Sequence, residues 1–365
     1  MRLVACLVLW CVAGVAFAQR PPREVPASPD AVIERLPAGY ATLEPSQARR
    51  RPAIADAESL LATAARTGDA RLAARADALL AAMPSHARVL RARAFSAQHR
   101  HDFDDAVRLL DADIQAHPRD GDARLSRAQI RLVQGRLDLA RGDCVALALG
   151  IDAEGGLLCA ASLALRRGDH VQAASLVDRL LAASPPAVLS RYLLVMRGEI
   201  ASRAGDADAD RWFRRALASD RDDVRTLAAY ARHLRAGHRD ADILALLADA
   251  PPTDALQLQR ALAAHRLGVG QAAALVAAQG RRYATAHAAG ARPELRDEAE
   301  YWLSLRDAPE PALALALENF DRQRDAEDVD VLLRAARAAG RPDARQAVLR
   351  WARAQGVRLP PGASR

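Results

Sequence analysis

The sequence predicts an all-α protein built as a stack of helix pairs, and three observations carry that prediction. Alanine supplies roughly a quarter of the 365 residues and Leu and Arg follow, while aromatics are 4% and Val, Ile and Thr are sparse. Those residue types favour helix, because strands draw on the β-branched and aromatic residues that are scarce here. From Ala53 to about Gly356, apolar-periodic stretches alternate with short breaks at Gly68-Asp69, His101-Asp102, Gly135-Arg136, Gly168-Asp169, Gly205-Asp206, Gly237-His238 and Gly340-Arg341. Further breaks at Met83-Pro84, His117-Pro118, Pro185-Pro186 and Pro251-Pro252 fall roughly midway between them, as expected of two helices per unit. Third, Ala73, Ala106, Ala140, Ala173 and Ala209 follow the breaks at separations of 33, 34, 33 and 36 residues. A fixed spacing of that size marks a repeat architecture in which each pair buries its apolar stripe against its neighbours.

Composition narrows the function classes. With 51% apolar residues and 27% charged, the chain is neither a disordered acidic or basic tail nor a membrane bundle. The net charge of +7 comes from 52 basic residues, every one arginine, against 45 acidic ones. Because the two signs are interspersed and the excess is small, nucleic acid is not expected as a partner.

The first residues have the pattern of an export signal. Met1-Arg2 gives a positive start, Leu3 to Val15 an apolar run, and Ala16-Phe17-Ala18 the small residues of a cleavage site between Ala18 and Gln19. The run is too short to cross a bilayer, and no later stretch reads as a transmembrane segment. Residues 19–52 form a Pro/Arg-rich linker with seven prolines and the run Arg49-Arg50-Arg51. The expected organisation is therefore a signal peptide at 1–18, the linker at 19–52, a repeat domain of about eight or nine helix pairs at 53–356 and a tail at 357–365. Export places the protein in the periplasm or outside the cell. There the two cysteines beyond the signal, Cys144 and Cys159, on consecutive helices, either form a bridge or remain two buried thiols.

Between Ala87 and about Arg221 the repeats resemble the tetratricopeptide repeat family. After Ala87 come Ala94, the turn His101-Asp102-Phe103, Ala106, Leu110 and Pro118. After Gly121 come Ala128, Gly135 and Ala140, with Cys144 where a large residue belongs; after Glu154 come Ala161, Gly168, Ala173 and Pro185. Ala209, Phe213, Ala216 and Leu217 repeat the second-helix signature. Asp113 at a small-residue position and Arg221 in place of a proline depart from the pattern, and beyond Val224 only the periodicity remains. The resemblance implies a right-handed superhelix of antiparallel helix pairs whose first helices line a concave groove that holds an extended peptide.

Searches for chemistry return little. His99 and His101 straddle a helix end without a completing Cys or acidic cluster, and His233 and His238 lack one too, so no metal site is expected. No GxSxG, HExxH or GxxxxGK[ST] element occurs, so neither an enzyme nor a cofactor is expected. The first helices, by contrast, carry Arg88, Arg91, Arg124, Arg127, Arg131, Arg166 and Arg191. Arg124, Arg127 and Arg131 share one helical face, and guanidinium groups grip carboxylates in a two-pronged way. They are candidate contacts for an acidic peptide; the alternative is a solvated face balanced by nearby Asp. Peptide-clamping members of the family use Lys and Asn at set positions, which this chain does not reproduce. The sequence therefore points to a protein-protein interaction scaffold of the bacterial envelope. An accessory subunit of an envelope enzyme or of a polysaccharide or protein export machine is the alternative.

Overall fold

The computed structural model describes residues 54–359 apart from 68, 69, 289 and 291. The expected signal, its Ala18/Gln19 cleavage point, the linker and the last residues of the tail lie outside the described residues. Within them eighteen α-helices follow one another as nine pairs. Pairs 1 to 3 are α1 (Ile54–Thr67) with α2 (Ala70–Ala81), α3 (Ala87–His99) with α4 (Phe103–Ala116), and α5 (Gly121–Val133) with α6 (Leu137–Ala146). Pairs 4 to 6 are α7 (Ala153–Arg167) with α8 (His170–Ala182), α9 (Ala187–Ala204) with α10 (Ala209–Leu217), and α11 (Val224–Ala236) with α12 (Asp240–Leu246). Pairs 7 to 9 are α13 (Asp254–Leu267) with α14 (Ala272–Ala288), α15 (Leu295–Leu305) with α16 (Pro309–Arg322), and α17 (Ala326–Ala338) with α18 (Pro342–Gln355). This is an all-α superhelix of tetratricopeptide-like pairs.

The sequence breaks work as two-part turns. Gly135, Gly168 and Gly205 take φ of 70°, 76° and 71°, a left-handed conformation that costs glycine nothing and ends the first helix of each pair. His101 and His238 hold the same conformation in the corresponding turns, at 59° and 57°. An aspartate follows as N-cap in two of them: Asp169 accepts the Gln172 amide at 3.2 Å, and Asp102, after His101, accepts that of Asp105 at 3.4 Å.

Packing explains the alanine period. All five phased alanines are at most 4% exposed, which lets paired helices approach closely. Phe213, fully buried, fills the space left by the missing side chain of Gly198; a Cβ there would lie 2.9 Å from its ring. Asp113, the departure from the repeat pattern, is buried between Arg91 and His117, with Arg91 Nη1 at 3.1 Å and His117 Nδ1 at 3.0 Å. Cys144 replaces a large residue because it is covalently tied to Cys159, with Cα atoms 5.2 Å apart. The bridge joins α6 to α7 across a π-turn at Leu147–Ile151.

The stack then returns on itself. Successive apolar clusters join only consecutive pairs: Ala57 to Phe95, Ala94 to Ile130, Leu125 to Ile200, Leu194 to Ala263, Leu258 to Leu305 and Ala299 to Val348. Yet pairs 8 and 9 lie against the turns of pairs 2 to 4 and the first helices of pairs 4 to 6. Across this seam the Arg324 amide donates to Val133 O at 2.8 Å and the Arg358 amide to Arg167 O at 2.9 Å. Trp351 Nε1 donates to Gly135 O at 3.0 Å, and Gln355 Oε1 accepts the Leu137 amide at 2.7 Å. Among the described residues one small apolar cluster crosses it, where Leu132, Leu137 and Ala140 meet Val357.

The Cys144–Cys159 bridge closes a loop of 15 residues, for which chain-entropy reasoning gives about 3 kcal/mol. Urea unfolding should show that loss in the Cys144→Ser/Cys159→Ser variant. Wild-type protein should lose a similar amount on adding dithiothreitol, and the variant should not respond to it.

Candidate interaction site

The seven arginines singled out in the sequence do not gather on one groove. Arg88 of α3 makes a two-pronged pair with Glu58 of α1, at 2.7 and 2.5 Å. Arg91 binds Asp113 and Asp120, and Arg191 binds Asp220 at 3.3 Å. Arg124, Arg127 and Arg131 share a face, as their spacing requires, but that face turns toward the second helices of the stack. All three converge on Asp143 of α6, which is 2% exposed, at 3.7, 2.5 and 2.8 Å. Arg127 also holds Asp111 of α4 at 2.5 Å. Two-pronged pairing with a buried carboxylate keeps these side chains as struts between repeats.

Arg166 has a different setting. It lies two residues before the left-handed turn residue Gly168, as Arg203 does before Gly205, while Arg235 lies three before His238, the left-handed residue of its own turn. One repeat apart on the first helices of pairs 4, 5 and 6, the three form a ladder. Each rung meets a carboxylate from the far side of the seam. Arg166 pairs with Asp325, Arg203 with Glu327 at 2.9 Å and Arg235 with Glu300 at 2.9 Å. Arg166 and Arg203 share a register before a left-handed turn glycine, a signal the sequence contains, and Arg235 sits one residue out of that register.

Around the ladder lies an axial hollow of about 50 Å³, walled by Arg166, Arg203, Tyr192, Glu199, Arg225 and Arg232 among others. Arg225 stacks on Tyr192 at 5.1 Å, and its buried Nε has no hydrogen-bond partner. Arg232 comes no nearer than 3.9 Å to Glu199. A neighbouring chamber of about 350 Å³ separates α9, α11 and α13 from α15 and α17; Phe213, Leu258 and Val331 contribute its apolar wall. Another of about 350 Å³ lies between the turns of pairs 2 and 3 and the Asp321–Arg324 end of α16. The seam is thus charged and incompletely packed, unlike the continuous apolar contacts along the stack.

Electrostatics follow from burial and pairing together. Burial alone would raise Glu300, but Arg235 and Arg334 outweigh it and bring its carboxyl down to about 2. Burial would lower Arg166, yet Asp325 pushes the guanidinium above its ordinary value. Burial would likewise raise Glu327, and Arg203, Arg232 and Arg296 carry it well below the usual carboxylate range. Glu199 goes the other way: burial, helped by the neighbouring Glu327, outweighs Arg203, Arg232 and Arg166 and raises it.

His233 accepts or donates at both ring nitrogens, to Ser202 Oγ at 2.8 Å and Asp210 Oδ1 at 3.1 Å. These are the residue types of a hydrolytic triad. Here the ring packs beside Phe213 and Tyr230, and Arg239 also holds Asp210 at 2.8 Å, so the set braces pair 5 against pair 6. Among the described residues no His, Cys, Asp and Glu group is arranged to hold a metal ion, and no helix is long and apolar enough to cross a membrane.

No protein-family profile matches the chain, and no curated protein sequence matches it. Solved structures do. A tetratricopeptide repeat protein from Parabacteroides merdae is 17% identical, with a TM-score of 0.41, over 68% of this chain and 98% of that one. The human IFIT1 dimer with PPP-AAAA is 12% identical, with a TM-score of 0.46, over 82% of this chain and 81% of that one. The P58(IPK) TPR domain is 16% identical, with a TM-score of 0.24, over 82% and 96%.

Glu300 is 3% exposed and accepts from Arg235, Arg334 and Ser304. Glu300→Gln leaves Arg235 without its anion and Arg334 with Asp330 alone, and should cost about 3–5 kcal/mol at pH 7. Because the folded carboxyl lies at about 2, below its unfolded value of about 4.3, the stabilisation is complete above the unfolded value. It fades as pH falls toward the folded one. Denaturation midpoints of wild type and variant should therefore differ most at neutral pH and converge in acid.

Proposed function

We propose that the chain is a non-catalytic protein-protein interaction scaffold of the bacterial envelope. It would act in the periplasm, or outside the cell, after residues 1–18 are removed, and bind a peptide or protein along its concave, first-helix face. The observation that carries this reading is the arginine ladder of Arg166, Arg203 and Arg235, which places a cationic group near the end of three successive first helices. Guanidinium groups so arranged suit carboxylates on a partner chain. The Cys144–Cys159 bridge supports export, since structural disulfides persist in oxidising compartments.

A specific observation also favours the accessory-subunit reading. Leu139, Val145, Leu149 and Val171, on α6, the π-turn after it and α8, stand 45–84% exposed on second helices. Apolar side chains of this size, left open on neighbouring repeats, suit docking to a larger assembly.

Expression of the full chain in a Gram-negative host tests the first reading. A product beginning at Gln19 should fractionate with the periplasm, and crosslinking followed by partner identification should recover an envelope protein whose yield falls in Arg166→Gln/Arg203→Gln. A product that keeps residues 1–18 in the cytoplasm would contradict the location. Turnover of envelope glycans or peptides by purified protein would contradict the absence of catalysis. Undiminished partner recovery by the arginine variant, with loss on Leu139→Glu/Val171→Glu, would favour the accessory-subunit reading.

A further inference from the structure

The ladder is occupied by the chain itself. Asp325 and Glu327 bracket the start of α17, and Glu300 belongs to α15; together they fill all three rungs. What holds these helices there differs in kind from what holds the stack. Each repeat is fixed to the next by continuous apolar burial, a contribution that salt does not weaken. The seam rests on ion pairs, hydrogen bonds along its turn rim and the small cluster around Val357. Hollows of about 50 and 350 Å³ lie along it. Screening and competing anions act on such contacts. The connection can also yield without unfolding a repeat. Pair 7 joins pair 8 through a cluster that involves neither the ladder nor its carboxylates: Leu258, Leu262, Val276, Tyr283, Tyr301 and Leu305.

We propose that the seam is an autoinhibitory contact, in which Glu300, Asp325 and Glu327 stand in for an acidic segment of a protein partner. When pairs 8 and 9 move off the rim, Arg166, Arg203 and Arg235 become free to take carboxylates presented at repeat spacing. Arg225, whose buried Nε has no hydrogen-bond partner, and Arg232, held to Glu199 only at 3.9 Å, add to the same face. The partner fitted is an extended, Asp/Glu-rich polypeptide, with affinity set by competition against the internal carboxylates. This deepens the interaction reading and rests on it.

The test is direct binding of a fluorescein-labelled hexaglutamate peptide to the full chain, read by anisotropy, so its outcome does not depend on export or on recovery of a cellular partner. Asp325→Asn/Glu327→Gln keeps a capping side chain at the start of α17 while removing two internal competitors. It should bind the peptide at least tenfold more tightly than wild type, and adding Arg166→Gln/Arg203→Gln should abolish that gain. Far-UV circular dichroism checks the fold of each variant. If the double carboxylate variant does not fold, Glu327→Gln alone should give at least a threefold gain. Equal affinities of folded wild type and carboxylate variants would overturn the proposal, as would a gain that survives loss of the two arginines.

Discussion

A pair of antiparallel helices has more apolar surface than it can cover by itself, and everything else in this molecule follows from how that surface is covered. Each pair is obliged to lie on the next, and alanine at the crossing fixes how near the helices come. Ala106, Ala140 and Ala173 have no exposed surface, and bulky neighbours such as Leu110 and Phe213 are equally enclosed. The low aromatic content suits this arrangement: shallow interfaces repeated from pair to pair need small, regular side chains rather than a few large anchors. Where the series breaks, something else compensates. Cys144 gives up bulk for a covalent link to α7, and Asp113 gives up smallness for pairing with Arg91.

Stacking by itself says nothing of how the last pairs meet the earlier ones. Here they meet through charge. Interior ion pairs gain little net stability over apolar packing, because desolvation offsets most of the attraction, but losing one partner is costly. A seam built this way is specific in register yet less robust than the stack. Glu300, Asp325 and Glu327 have set partners one repeat apart, so pairs 8 and 9 have one matching position on the rim. The same contacts leave the cationic face covered in the closed form, which links architecture to the control of binding.

Local rules made the stack legible in the sequence. Turn glycines, aspartate caps and phased alanines act within a few residues, and their periodic recurrence survives even where family signatures fade, as in α13 to α18. The face carrying Arg124, Arg127 and Arg131 was legible too, but its direction was not. Periodicity groups side chains on one side of a helix, and only the buried Asp143, sixteen residues beyond Arg127, decides that this side meets α4 and α6. The seam left no periodic trace. Arg166 and Asp325 are 159 residues apart and Arg203 and Glu327 are 124 apart, so no spacing rule connects them. Of the ladder, Arg166 stood out for its charge. Arg203 is marked only by sharing Arg166's distance from a turn glycine, and Arg235 only by its place near the end of the next first helix.

Pairs 8 and 9 lie closed on the rim through contacts weaker than those within the stack. Site-resolved hydrogen exchange of the Arg324 and Arg358 amides reads this most directly, since these amides donate across the seam to Val133 O and Arg167 O. Both should be protected at low ionic strength, and rising salt should erode that protection while amides inside α7 and α9 keep theirs. Exchange of both at the unprotected rate in low salt, or loss of protection only together with the stack, would contradict the account.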